Sequence, residues 1–479
     1  MAAPDAPPAP LTVWLTDRSR YKLGTGRCGA ARYLSYHFGP TGYGITAKAE
    51  SVPLTTGLSA HEGIEAFATI LQQHDRLPTQ EETRAIITEV QATYLAKVTA
   101  RGFRGIVAGP STDETIQEQC VLISGLLWAI RIKFLPWLHQ SYRVVLVEQE
   151  RAHMLSCTCA AGQAAPFDLH VARGCEGSVL MLRTDLLAQR RTGGGLAYFE
   201  IKTTGWDSDA WAEQWETDFQ LALGTIDVKQ TYGEEVTELY IVGLGKGSRK
   251  KDKYAGEAEG VTPMRRQQTA LCYGYYKPGA PPLAADQWLP AWEWVDEHGE
   301  TKRANKSFKR RGVWHLKDSD NPTWLAYHQQ DPEMSPEEYW VRTLPLSVLD
   351  KVCFVLGPLN RQDHQIEATR QGMIGEEDRW REVLWALYEI QANGYSWASE
   401  EFQKEYARLV PKSWACRPFG ADHQCEHVGI CHRHEGWQDP IGSGRYQPRR
   451  PHHSFELQQA IARGLLIEDA AEVAEEEER

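Results

Sequence analysis

Several large classes are excluded by what the chain lacks. No apolar run approaches the ~20 residues needed to span a bilayer, so no membrane partner is expected. The Ala/Pro-rich start, residues 1–10, has no basic segment followed by an apolar one. No secretory signal is read there, and an intracellular, cytoplasmic protein is the default. There is no internal repeat and no G-x-x-x-x-G-K-[ST] phosphate loop, which argues against an ATP-driven motor. Ten cysteines in 479 residues are too few for a disulfide framework. Positive charge is also in deficit: 52 Lys/Arg against 64 Asp/Glu leave a net −12, which at first opposes a nucleic-acid partner.

What is present is the composition of a globular protein, 42% apolar and 24% charged. At ~150 residues per domain the length allows about three domains, or one elaborated α/β domain with insertions. Charge is uneven. Residues 246–311 carry 14 Lys/Arg against 8 Asp/Glu, concentrated in KGSRKKDK (246–253) and KRANKSFKRR (302–311). Such a patch binds phosphate whatever the sign of the whole chain, or is simply a solvated loop. An acidic tail ends at Glu475 to Glu478.

Periodicity predicts a helix over 58–73, with an apolar stripe of Leu58, Ile64, Phe67, Ile70 and Leu71 and a capping box of Ser59 and Glu62. That box would put His61 in the first turn, with Glu65 one turn later on the same face. Helices are expected at about 80–100 and 113–135, and strands at 143–147, 178–187 and 196–203. An amphipathic helix over 211–232 should stop at Gly233, and a strand should follow at 236–242. Residues 246–345 read as a Trp- and Pro-rich insertion, with helices resuming at 376–392, 399–408 and near 454–468. The order of elements is that of an α/β core of about 200 residues.

The sharpest chemistry lies in MLRTDLLAQRRTGGGLAYFEIKTT, residues 181–204. Two strand-like runs flank Thr192-Gly193-Gly194-Gly195, whose glycines supply the positive φ of a tight turn. Opposed residues of an antiparallel hairpin have a constant positional sum, and a turn centred between Thr192 and Gly193 sets Asp185 opposite Glu200. Alternation then puts Glu200 and Lys202 on one face with Ile201 pointing away. Two carboxylates and an ammonium on one side of a sheet suit phosphodiester hydrolysis. The oxygens hold a hard cation that polarises the phosphoryl group, and the lysine orients water or offsets charge. The other two [DE]-x-K matches, Asp227/Lys229 and Glu300/Lys302, fall in a helix and a charged loop. The competing reading is an exposed cross-strand charge cluster. Gln220, expected mid-helix, is either an ordinary surface residue or a group that hydrogen-bonds a base, a phosphate or the lysine.

Near the other end Cys416-x8-Cys425-x5-Cys431 leaves a tetrahedral site one ligand short, and isolated Cys28 can supply the fourth. Four thiolates suit a [4Fe–4S] cluster or Zn²⁺. His423, His427, His432 and His434 offer a rival Cys₃His zinc site.

Together these stretches resemble the PD-(D/E)XK nuclease superfamily, in its RecB-like branch with an iron–sulfur clasp, over about residues 20–245 and 414–434. TGRCGAARYLSYHF (25–38) is similar to the family's first cysteine segment, TGLSAHEGIEAF (56–67) to its Gly-x3-His-x3-Glu helix, LRTDLL (182–187) to its metal-binding Asp strand, and YFEIKTT (198–204) to its Glu-x-Lys strand. The resemblance implies a restriction-endonuclease-like core of central mixed sheet flanked by helices, with a clasp joining the N- and C-terminal parts. It implies a Mg²⁺- or Mn²⁺-dependent deoxyribonuclease, an exonuclease by preference. His61, Asp185, Glu200 and the backbone carbonyl of Ile201 would be metal ligands. Asp185, Glu200, Lys202 and Gln220 would be catalytic residues, and Cys28, Cys416, Cys425 and Cys431 cluster ligands. Three departures stand out: the x8 spacing after Cys416 where the family often has x2, Gly224 where a Gln-x3-Tyr motif ends, and Thr184 before the Asp in place of Pro.

The expected organisation is a tail (1–19), the nuclease core (20–245), the basic insertion (246–345), a C-terminal helical region with the cysteines (346–434) and a final tail (435–479). DNA, single-stranded or with single-stranded ends, is the expected partner, alongside a helicase or recombination protein in repair, recombination or phage DNA processing. Lys246, Arg249, Lys250, Lys251, Arg310 and Arg311 are its expected contacts, with Trp288, Trp292, Trp294 and Trp314 available for stacking. The alternatives are an inactive DNA-binding scaffold of the same fold and a zinc-stabilised interaction adaptor.

Overall fold

A computed structural model describes residues 13–39, 41–102, 110–157, 177–204, 209–233, 236–246, 293–295, 301–303, 335–343, 346–412, 425–433, 436–451 and 453–465. Cys416, His423, His434, Arg249, Lys250, Lys251, Arg310, Arg311, Trp288, Trp292, Trp314 and the acidic tail lie outside them.

Strand β1 (Val13–Thr16) leads through α1 (Arg18–Lys22) to α2 (Gly29–Tyr36) and β2 (Ile45–Ala47). Helices α3 (Val52–His74), α4 (Gln80–Arg101) and α5 (Pro110–Ala129) follow, and a wide turn over Ile130–Phe134 carries α5 into α6 (Leu135–Ser141). Next come β3 (Tyr142–Met154), β4 (Gly177–Arg190), β5 (Leu196–Thr204), α7 (Asp209–Thr217), α8 (Phe219–Tyr232) and β6 (Val236–Gly245). A short hairpin, β7 (Glu293–Val295) with β8 (Thr301–Arg303), precedes α9 (Pro336–Thr343), α10 (Leu346–Val352) and β9 (Cys353–Leu359). The chain closes with α11 (Asp363–Ala392), α12 (Glu400–Leu409), α13 (Val428–Arg433), β10 (Tyr446–Pro448) and α14 (Ser454–Ala462).

The protein is an α/β structure with a mixed six-stranded sheet of β1, β3, β4, β5, β6 and β9. Its centre is forked. Along one edge β4 pairs antiparallel with β3 from Val179 to Arg190. The opposite edge is shared: β1 takes Gly177 to Leu180 in parallel, and β5 takes Leu186 to Gln189 antiparallel. Between these partners, residues 181–185 of β4 face the mouth of the fork.

Apolar layers cover both faces. On one, Ile64, Phe67 and Leu71 of α3 pack with α4, α5 and α6 against Leu186, Ala197, Phe199 and Ile201. On the other, Leu221 and Val228 of α8 meet Leu187, Leu196 and Tyr198, while Leu223 and Ile226 meet Leu180. Gly224 allows that approach, since a Cβ there would lie 2.5 Å from the Tyr198 ring.

Several boundaries differ from expectation. Helix α3 begins two turns before the Ser59/Glu62 pair, because Ser51 is its extended N-terminal flank and Pro53 stands in its first turn, where a missing N–H costs nothing. Ser59 is therefore buried mid-helix, its hydroxyl without a partner among the described residues, and His61 lies in the third turn. The amphipathic stretch 211–232 is two helices, because Asp218 adopts an extended backbone and caps α8; Gly233 does end it, at φ 66°. Gln220 is thus in the first turn of α8, not mid-helix. The expected N-terminal tail, residues 1–19, supplies β1 and the start of α1. The expected insertion supplies Val341, and the region after it Leu349, Val352 and Cys353, all buried in the main core. One stretch, Gln119–Ser141, is long and apolar enough to cross a membrane, where no such run was expected; its most apolar 18 residues have a mean hydropathy of 1.6, and 67% of those residues are buried inside the protein.

Candidate functional site

The hairpin pairs as its turn chemistry requires. Leu186 opposes Phe199 and Gln189 opposes Leu196, and Gly193 and Gly194 have φ of 92° and 75°. Beyond Leu186/Phe199 the two strands part. Asp185 spans the gap by accepting the Ile201 amide N–H at 2.7 Å. Ile201 thus joins the site through its N–H. Face alternation slips here too. Leu180, Leu182 and Thr184 face α8, but farther along it is Leu187 that does so while Leu186 joins the opposite layer.

Glu200 is 1% exposed. Its carboxylate accepts from the Tyr198 hydroxyl at 2.8 Å, from the Lys202 ammonium and from the Gln220 side-chain amide. Lys202 also lies 3.8 Å from Asp185. Burial and the nearby Asp185 charge raise the Glu200 pKa, while Lys202 and Arg18 oppose the shift. The Gln220 carbonyl oxygen is buried with no hydrogen-bond partner among the described residues. The hairpin's paired acids, its lysine and Gln220 are therefore gathered on one spot.

His61 reaches that spot from α3, and a residue the sequence reading missed completes it. His61, Glu148 and Asp185 each present a ligand atom, all within 4.8 Å of one another; among the described residues this is the one such group of His, Cys, Asp or Glu. The expected ligand Glu200 is not in it; its oxygens accept from Tyr198, Lys202 and Gln220. Glu148 stands in β3 beside Asp185 with φ 43°, a backbone conformation that costs a non-glycine residue energy and is most often kept where function needs it. An extra residue inserted in β3 just before it, at Val145, has its carbonyl held by Gln72 of α3 at 2.8 Å. Glu148 lies 3.5 Å from His61 and 2.7 Å from Arg183. Burial works against charge on His61, but the Glu148 hydrogen bond and the Asp185 field outweigh it and raise the pKa above the ordinary histidine value. Two carboxylates and one imidazole suit a cation such as Mn²⁺ that accepts both oxygen and nitrogen.

The cysteines lie elsewhere, where the chain ends meet. Strand β2 pairs with β10, Ser35 contacts His427 at 2.8 Å, and Arg20 pairs with Glu456 at 2.6 Å. Cys28 and Cys431 pack on one apolar cluster with Trp380, Phe402 and Tyr406. The Tyr406 hydroxyl is buried without a hydrogen-bond partner among the described residues. Burial first, then the fields of Cys431, Tyr33 and Cys28, hold its proton well above the usual range. The Tyr446 hydroxyl is pushed up to about 12 by burial, Glu426, Cys431 and Cys425. Cys28, Cys425 and Cys431 thus share one corner. As they stand, these cysteines do not form a ligand group of the closeness seen at His61.

Of the expected DNA contacts, Lys246 is described. It follows β6, half-buried, its amide bonded to the Thr204 carbonyl at 2.7 Å, and burial lowers its ammonium pKa to about 8. Compared with known proteins, this chain matches no family model, and no curated protein matches it.

Proposed function

We propose that the chain is a divalent-metal-dependent deoxyribonuclease with a PD-(D/E)XK core of the RecB-like kind. The observation that carries this reading is the meeting of Asp185, Glu200 and Lys202 at the fork, with His61 and Glu148 against Asp185. His61, Glu148 and Asp185 would hold Mg²⁺ or Mn²⁺. The cation, when bound, supplies polarisation of the phosphoryl group and a lowered pKa for water. The protein's own groups do the rest. Asp185 is fixed by the Ile201 amide, so its second oxygen keeps its direction. Tyr198 and Gln220 fix Glu200, which holds the Lys202 ammonium between two carboxylates. From there Lys202 hydrogen-bonds the attacking water and offsets charge as the phosphodiester is displaced in line. DNA is the substrate, and an exonuclease acting on ends is the preferred mode.

At the other corner, Cys28, Cys416, Cys425 and Cys431 would hold a [4Fe–4S] cluster that ties the chain ends together. The cluster's chemistry there is structural, and Zn²⁺ is its rival.

The test is an assay on end-labelled single- and double-stranded DNA with Mg²⁺ or Mn²⁺. Wild type degrades DNA, and Lys202→Ala loses about 10²-fold or more; equal activity in the two proteins leaves the inactive scaffold as the reading. For the clasp, a brown protein with about four irons per chain is expected, and Cys28→Ala should bleach it. A colourless protein with about one zinc favours the zinc-stabilised adaptor.

A further inference from the structure

The proposed site must accept a polyanion, yet its basic groups are already committed. Lys202 serves Glu200 and Asp185. Arg183 lies 2.7 Å from Glu148, and Arg151 lies 3.0 Å from Asp227. One arginine at the fork is different. The Arg18 side chain makes no hydrogen bond or ion pair with any described residue, although its neighbour two positions on, Arg20, is doubly held by Asp17 and Glu456.

The sheet's construction puts Arg18 there. Strand β1 runs parallel to β4 and ends at Thr16, opposite Leu180. Its next residues therefore enter the stretch of β4 edge that β5 has not yet joined. Asp17 then caps α1, accepting the Arg20 amide at 2.9 Å, so Arg18 begins a fixed turn of helix and not a free loop. Three residues on, along the same face, Tyr21 meets Phe219 edge-on at 5.1 Å. The residue after Phe219 is Gln220, which holds Glu200. Arg18, a partly exposed residue, thus stands on the rim of the fork, and its charge is felt at the Glu200 carboxylate.

We infer that Arg18 binds a backbone phosphate of the DNA strand, one flanking the scissile linkage, and so sets where along the strand the proposed site acts. Its planar donors match two phosphate oxygens, and the fixed helix turn means little ordering is lost on binding. This rests on the nuclease reading and adds to it a residue with no place in the metal or lysine chemistry.

The test uses the full chain with Ca²⁺ as the probe cation and fluorescently labelled single-stranded DNA, titrated at several salt concentrations. Arg18→Ala should weaken binding about tenfold and lower the salt slope by ~0.7. Arg18→Lys should restore the slope but not the full affinity. In a set of oligonucleotides carrying one neutral methylphosphonate linkage each, one position should cost wild type the same tenfold and cost Arg18→Ala nothing further. Arg18→Gln, which keeps the stem, replaces the alanine variant if circular dichroism shows loss of fold. Unchanged affinity and slope in the variant, while Lys202→Ala still abolishes cleavage, would overturn the role of Arg18 alone. Wild type that neither binds in Ca²⁺ nor cuts in Mn²⁺ removes the nuclease reading, and the Arg18 assignment with it.

Discussion

The fork of the sheet and the corner where the chain ends meet are both rich in buried charge, yet they are built on opposite principles. At the terminal corner each buried charge faces its opposite. Arg32 and Glu377 are fully buried and 2.5 Å apart, and Thr16 donates to the same glutamate at 2.6 Å. Arg20 pairs with Glu456, and His453 lies between Glu150 at 2.5 Å and Asp17 at 3.6 Å. At the fork, like charges crowd instead. Asp185 raises the pKa of Glu200, Glu148 is held at φ 43°, and Lys202 and His61 keep 23% of their side-chain surface open. Neutralised charge in a dry interior fixes which segments pair; crowded charge beside solvent leaves a place for something to bind.

Breaking the terminal corner should give the largest effect on stability. Arg32→Met removes one partner and leaves Glu377 buried, for a loss of about 3–5 kcal/mol. Urea denaturation should show it as a lower midpoint, and the activity of the protein still folded should stay at the wild-type value. Lys202→Ala sharpens the contrast from the other side: cleavage is lost, and the urea midpoint moves less than in Arg32→Met. A Lys202→Ala protein less stable than Arg32→Met would mean that the fork, too, is chiefly structural.

A second, smaller effect is pH-dependent and confined to the terminal corner. Burial disfavours charge on His453, but hydrogen bonds and the fields of Asp17 and Glu150 outweigh it and raise its pKa from 6.5 to about 9. A raised histidine stabilises fully below its unfolded pKa, and the stabilisation is lost as pH climbs through the folded value. Wild-type stability should therefore fall between about pH 6.5 and 9, by an amount on the order of 3 kcal/mol. In His453→Gln that fall should flatten. Melting curves across this window decide it, and a wild-type profile that stays level would show His453 to be neutral in the folded protein.

The two corners also differ in how far the sequence announced them. The hairpin was legible because a turn is local: the glycines after Thr192 set the register as far as Leu186 and Phe199. The opposition of Asp185 and Glu200 expected from it is not formed, because the strands part there and Asp185 accepts from the Ile201 amide instead. The α/β order was legible from periodicity. Glu148 was not. The strand was expected to end at Val147 because the next residues, Glu148 to Arg151, are polar and do not alternate, and nothing in a glutamate signals a positive φ. The one available hint was a charged continuation of an apolar strand toward the hairpin's acids. Ser59 and Glu62 mimicked a capping box inside a helix that Ser51 and Pro53 had already begun. The break at Asp218, which delivers Gln220 to Glu200, lay hidden in an unbroken amphipathic pattern. At the terminal corner the cysteine spacing was visible, but pairs such as Arg20 with Glu456 and Arg32 with Glu377 join residues hundreds of positions apart, and no local pattern encodes them.

The finest probe of the comparison is Thr184, where a terminal-style network touches the fork. Its hydroxyl donates to Asp227 at 2.6 Å, and the same buried carboxylate takes His153 at 2.6 Å and Arg151 at 3.0 Å. Those hydrogen bonds and charges hold Asp227 below the usual carboxylate range despite its burial. Thr184 immediately precedes Asp185, at the point where β4 slips face, so the network anchors the strand one residue before the proposed ligand. Thr184→Val keeps the shape and removes one donor, while Arg151 and His153 still contact Asp227; the stability cost should be about 1 kcal/mol. If the anchor also aims Asp185, the Mn²⁺ concentration for half-maximal cleavage should rise, by less than the ~10-fold typical of losing a ligand's own hydrogen-bond partner. Thr184→Ser, which restores the hydroxyl, should recover it. A valine variant that loses stability but binds Mn²⁺ as tightly as wild type would confine the Asp227 network to the fold and leave the fork aimed by Ile201 alone.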